Sequence, residues 1–115
     1  MSDRIKQAFN EEFKSWNIVL PEDDLKERRR GSITKAGWSI NYRFGREGGL
    51  EYLEYFATHR MTNDTLNRIY ENGSREVVGY VQEFYAADDP QAERDYFAHN
   101  TKFYEEVKSR GLLEP

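Results

Sequence analysis

Trp38, Ile40, Tyr42 and Phe44 alternate with Ser39, Asn41 and Arg43, and a period of two over seven residues is that of a strand with one buried face. Gly45-Arg46-Glu47-Gly48-Gly49 follows at once, with glycines for the positive-φ positions of a short hairpin loop. The run Leu50 to Met61 then resumes the extended pattern. Leu53, Tyr55, Ala57 and Met61 fall on one face, and Tyr52 and Phe56 on the other. This second strand is therefore expected to be central and covered in part on both sides. Any fold of the chain has to be built around this antiparallel hairpin.

The flanking segments extend it. Thr62-Asn63-Asp64 reads as a turn, Leu66 to Glu71 as a third strand, and Asn72-Gly73 as a two-residue hairpin turn. Val77 to Tyr85 also matches helical spacing, but three Val, an internal Gly79 and the preceding Asn-Gly favour a fourth strand. Ahead of the sheet, Ile5, Ala8, Phe9, Phe13 and Trp16 keep helical spacing behind a Ser2 or Asp3 cap, which predicts a helix over 3–16. Pro21 begins a shorter helical candidate with acids near its start and Arg28, Arg29 and Arg30 near its end, and only Leu25 to bury. Asp88-Asp89-Pro90 opens a helix that Gly111 stops, with Ala92, Tyr96, His99, Phe103 and Val107 as its stripe. The expected architecture is one α+β domain over residues 1–115. It has an N-terminal helix, a four-stranded antiparallel meander and a long C-terminal helix packed on the sheet.

Composition sets the size of the core and excludes several chemistries. Hydrophobic residues make up 37% of the 115, below the roughly 45 to 50% usual for globular chains. Two Trp, eight Tyr and seven Phe supply the missing apolar mass. With no Cys, there are no disulfides, thiolate nucleophiles or thiolate zinc sites. No apolar run has the length of a signal peptide or a membrane span, and a cytoplasmic address is expected.

Candidate chemistry is sparse. His59 and His99 form the only imidazole pair, and acid–base catalysis by two His is conceivable at neutral pH. Neither has a neighbour in sequence to orient its ring, and a structural histidine is the simpler reading of His99, on an apolar stripe one turn after Asp95. His99 with Asp95 is also the only helical pair of metal-ligand types, and two ligands do not make a site. No metal or cofactor is expected. Glu51 and Glu54 differ in parity and point to opposite faces, so they cannot form a close acid–base dyad. The loop Gly45 to Gly49 has the amide density of an anion nest but lacks a P-loop pattern and a following helix.

Lys26, Arg28, Arg29, Arg30 and Lys35 form the one basic cluster. Next to strand aromatics it raises nucleic-acid binding, but a net charge of −4 argues against it, since such affinity comes largely from phosphate neutralisation. Arg29-Arg30-Gly31-Ser32 also has the look of a basophilic kinase acceptor, a pattern common by chance.

The remaining lead is the aromatic mass on the second face of the sheet, Tyr52 and Phe56 with Tyr80 and Phe84. Either the two helices divide between the faces, or one face stays partly open. The functional expectation is an interaction or assembly module without catalytic activity, binding a protein partner or a second copy. The alternative is a pocket for an apolar small molecule between sheet and C-terminal helix, with Tyr96 and His99 as its polar groups. Trp38, Tyr42, Tyr52, Phe56, His59, Tyr96 and His99 are the candidate ligand or interface residues. Weak nucleic-acid binding through the basic cluster comes third, and no membrane association is expected.

Overall fold

The computed structural model describes residues 2–59, 63–81 and 89–113. Five strands, β1 (Gly31–Lys35), β2 (Trp38–Glu47), β3 (Leu50–His59), β4 (Asn63–Tyr70) and β5 (Arg75–Tyr80), form one antiparallel sheet in the order of the chain. Before it come α1 (Ser2–Glu12), a 3₁₀ turn (Lys14–Trp16) and α2 (Glu22–Glu27), and after it α3 (Pro90–Ser109). The α+β class and the meander stand, with five strands in place of the expected four. The strand missed is β1, in which Ile33 is the one apolar side chain, so it carries no periodic signal.

Two hairpin loops have the same form. Ala36 and Gly37 have φ of 54° and 85°, and Gly48 and Gly49 have 58° and 80°, the paired positive φ of a type I′ turn. Gly45, expected in the second loop, instead lies inside β2 opposite Tyr52. The Asn72-Gly73 turn is also corrected. Gly73 donates to Tyr70 O at 2.8 Å, Tyr70 N donates to Ser74 O at 2.8 Å, and Gly73 has φ 93°. This is a three-residue loop with glycine at its left-handed position. Asn63 and Asp64, expected in a turn, are the first residues of β4. The expected 77–85 strand is present as Arg75–Tyr80; residues 82–88, including Phe84, lie outside the described residues, as does Met61.

The two terminal helices divide between the faces of the sheet. On one side Ile5, Phe9 and Phe13 pack with Ile18, Leu20 and Leu25 against Ile40, Tyr42, Leu53, Tyr55, Ala57 and Ile69. The expected 3–16 helix breaks after Glu12, and the 3₁₀ turn that follows closes with Asn17 at φ 57°. Asn10 Oδ1 accepts from Leu20 N at 2.8 Å, which folds the segment after the turn back along α1. On the other side Phe103 and Val107 of α3, with Leu112 beyond it, pack on Phe56 and Leu66. Asp89 caps α3 by accepting from Gln91 N and Ala92 N, with Pro90 at the first position, as the sequence indicates.

The division corrects the open aromatic face. Tyr52 and Phe56 are each 6% exposed, the first under Arg68 and the second beside Phe103. A shift of register between Leu66 and Asn67 pairs Gly79 with Leu66 and Tyr80 with Thr65, and the Tyr80 ring lies 5.6 Å from that of His99 on α3.

Candidate functional site

The densest polar arrangement is on the α3 face, around Glu54. The β register sets Arg43 and Arg68 directly opposite Glu54 on its two neighbouring strands, and the end of α3 brings Arg110. Arg43 Nε donates to Glu54 Oε1 at 3.1 Å and Arg68 Nε to Oε2 at 2.6 Å, while Arg110 Nη1 also donates to Oε2. The Glu54 side chain is fully buried, and the three arginine side chains are 34, 12 and 20% exposed. Burial pushes the Glu54 carboxyl up, but hydrogen bonds and charge from Arg68, Arg110 and Arg43 outweigh it and hold the group below the usual carboxylate range.

The arginines have further acceptors at the rim. Arg68 also donates to Glu47, and to Tyr70 Oη at 3.3 Å, and Arg110 Nε donates to Glu106 at 2.6 Å. The Arg68 guanidinium carbon lies 4.1 Å from the Tyr52 ring centroid, a stacked cation–π contact. Gly45 makes room for that ring: a Cβ there would be 2.5 Å from Tyr52 Cζ. Sequence reasoning set Glu54 only against Glu51. The overlooked signal is an acid at the same parity as Tyr52 and Phe56, in a central strand.

A second cluster lies on the α1 face. Trp38 and His59 pair across β2 and β3, with ring centroids 4.7 Å apart. Trp16 packs on both at 5.2 and 6.0 Å, and Phe13 is 5.1 Å from Trp38. Trp38 Nε1 is buried with no hydrogen-bond partner among the described residues. His99 sits elsewhere, on α3, with Nε2 2.8 Å from the Tyr80 carbonyl oxygen. The two histidines thus have separate surroundings. Asp95 accepts from Gln91 Nε2 at 2.9 Å, and no group of three His, Cys, Asp or Glu gathers among the described residues.

Tyr42 is a core residue. Its hydroxyl donates to Asp24 on α2, and burial first, then that hydrogen bond, raises its pKa above the ordinary phenol value. Tyr96 belongs to α3, but its side chain lies outside the described residues.

Four of the five residues of the basic cluster have acceptors within the fold. Arg28 binds Glu51 and the Leu25 carbonyl, and Arg29 lies 3.2 Å from Glu27 and 3.5 Å from Asp24. Arg30 donates to Gly111 O and Lys35 to Asn17 O. Arg46, in the loop weighed as an anion nest, donates to Gly49 O at 3.1 Å.

Two hollows bear on ligand binding. One of about 170 Å³ lies between β1, β2 and the segment after α3, lined by Arg30, Ser32, Asn41, Tyr42, Leu112 and Leu113 among others. It is smaller than the roughly 300 Å³ at which small-molecule pockets begin. The other is a broad open groove of about 980 Å³ on the outer side of α1, with Ile18 and Val19 in its wall and Arg4, Lys6 and Lys14 around it. No helix among the described residues is long and apolar enough to cross a membrane. No protein-family model, curated protein or solved structure matches the chain.

Proposed function

We propose that the domain is a non-catalytic protein-interaction module, and that its contact surface is the α1 side of the molecule. One observation carries this reading. The large apolar side chains left exposed among the described residues are Trp16 at 37%, Val19 at 60%, Val77 at 65% and Tyr80 at 51%. Trp16 and Val19 belong to the layer formed by α1 and the segment after it, and the register turns Val77 to that same side, while the Tyr80 ring lies beside His99 of α3. A half-exposed Trp grouped with exposed apolar side chains is of the kind interface centres favour. The one buried acid among the described residues, Glu54, is by contrast tied to Arg43, Arg68 and Arg110.

Self-association is the form of this reading that the chain alone can test. Native mass spectra of the purified protein over a concentration series are expected to pass from monomer to dimer. The doubly substituted Val19→Ser, Val77→Ser chain is expected to stay monomeric with its unfolding midpoint nearly unchanged, because both side chains are mostly exposed. A wild-type chain that stays monomeric at every concentration and carries added mass of a small molecule would replace this reading with the ligand-binding one.

A further inference from the structure

Two kinds of contact hold α3 to the sheet. Among the described residues the apolar contact is Phe103, Tyr104 and Val107, with Leu112 and Leu113 beyond the helix, on Phe56, Leu66, Val78 and Val81. The polar contacts run along its length: His99 on the Tyr80 carbonyl, Tyr104 to Asp64, Arg110 to Glu54, Arg30 to Gly111 O, and Asn41 Nδ2 to Leu112 O at 2.8 Å. The contacts of His99 and Arg30 are exposed, so water can take over those bonds without a desolvated intermediate.

The charged contact decides how the layer can separate. Removing one partner of a buried ion pair normally strands the other charge, and that penalty is what makes such pairs hard to break. Here neither charge is stranded. Glu54 keeps Arg43 and Arg68, both on strands adjacent to its own. Arg110 keeps Glu106, one helical turn earlier on the same element. Each side of the interface carries its own neutralising partner.

The α1 layer has no such independence from the sheet. Ile5, Phe9 and Phe13 share one cluster with the inner residues of β2, β3 and β4, and Phe9 and Phe13 both meet the Tyr55 ring, at 5.5 and 5.9 Å. Lifting α1 would expose the main core, whereas lifting α3 exposes, among the described residues of the sheet side, the smaller group of Phe56, Leu66, Val78 and Val81.

We infer that α3 is a separable cover: it opens from the sheet as a unit while α1 and the five strands stay folded, and in opening it bares the Phe56–Leu66 strip. Hydrogen exchange of the full chain, read by mass spectrometry on peptides from 100–109 and from 51–58, tests this. The α3 amides are expected to exchange at least about tenfold faster than those of β3, through an opening that depends weakly on urea because little surface is released. Arg110→Gln is expected to speed α3 exchange several-fold further and leave β3 unchanged. A single common rate for both elements in the wild-type chain would overturn the proposal, as would equal acceleration of both by Arg110→Gln. The wild-type comparison does not depend on the variant folding.

Discussion

Tyr42 and Asp24 are joined by a hydrogen bond from the phenol to Oδ2 of the carboxylate, which ties the second strand of the sheet to the short helix α2. Tyr42 is 1% exposed, and the Asp24 carboxylate is the partner its hydroxyl has in the fold. Tyr42→Phe removes the donor and leaves the ring in place. The expected loss is about 1.5 to 3 kcal/mol, the range for a hydrogen bond to a charged group, read as a lower urea midpoint at unchanged slope. A midpoint equal to wild type would mean that the bond contributes nothing net.

Glu54 makes stability fall in acid. Its folded carboxyl is held below the ordinary range, while the unfolded chain titrates near the usual value of about 4.3. Its contribution is therefore complete above that value, and is lost as pH falls from there through the lower folded pKa. Glu54→Gln is expected to be less stable than wild type at pH 7, with a shallower decline on acidification. Parallel stability curves for the two chains between about pH 5 and 2 would assign the acid sensitivity to other carboxylates.

Gly45 cannot accept a side chain while Tyr52 lies across it. The Cβ of an alanine there would meet Tyr52 Cζ at 2.5 Å and Cε1 at 2.8 Å, and the ring has Arg68 on it as well. Gly45→Ala is expected to cost about 1 to 3 kcal/mol, as overpacking does. Combining it with Tyr52→Ala should recover part of that loss, and a double-mutant cycle measures the coupling. Strict additivity would show that the clash relaxes elsewhere.

Ala36 occupies the first central position of the β1–β2 loop at φ 54°, where a Cβ is disfavoured by about 1 kcal/mol or more. Asparagine tolerates that region better and is favoured before Gly37 in such a turn. Ala36→Asn is expected to raise stability by about 0.5 kcal/mol, detectable as a small rise in Tm. A fall in Tm would indicate that the loop gains nothing from the exchange.

The basic cluster should not hold nucleic acid. Arg28, Arg29, Arg30 and Lys35 all have acceptors within the fold, so phosphate contacts would first have to break internal ones. Labelled RNA and DNA are expected to show no retained complex at about 150 mM salt. A complex that survives that ionic strength would reopen the question.

The sequence made some elements legible and left others obscure, for identifiable reasons. The β2 alternation, the glycine pair at 48 and 49, and the Asp89-Pro90 start of α3 could be read directly because each depends on a local rule. β1 was hidden because an edge strand with one apolar residue has no period to detect. The pairing of Tyr80 with Thr65 could not be read, since a register shift in β4–β5 displaces every partner after it. Of the site residues, Trp38 and His59 do come together, but His99, Tyr42 and Phe56 have separate neighbours. The Glu54 cluster depends on register across three strands and on the return of α3, which no local pattern carries. The broken helix at Glu12 likewise follows from the turn at Asn17 and the long-range bond from Leu20 N to Asn10, not from propensity.

The strictly sequential strand order has a kinetic consequence. Every ladder joins neighbours in the chain, so each can close as a hairpin at small loop-closure cost, and β2–β3, with two glycines in its turn and paired positions from Trp38–His59 to Glu47–Leu50, is the natural place to nucleate. Distant contacts come last. The Arg75–Glu12 bridge spans 63 residues and the Arg30–Gly111 bond spans 81, so docking of α1 and α3 carries the largest loop-closure cost of the fold.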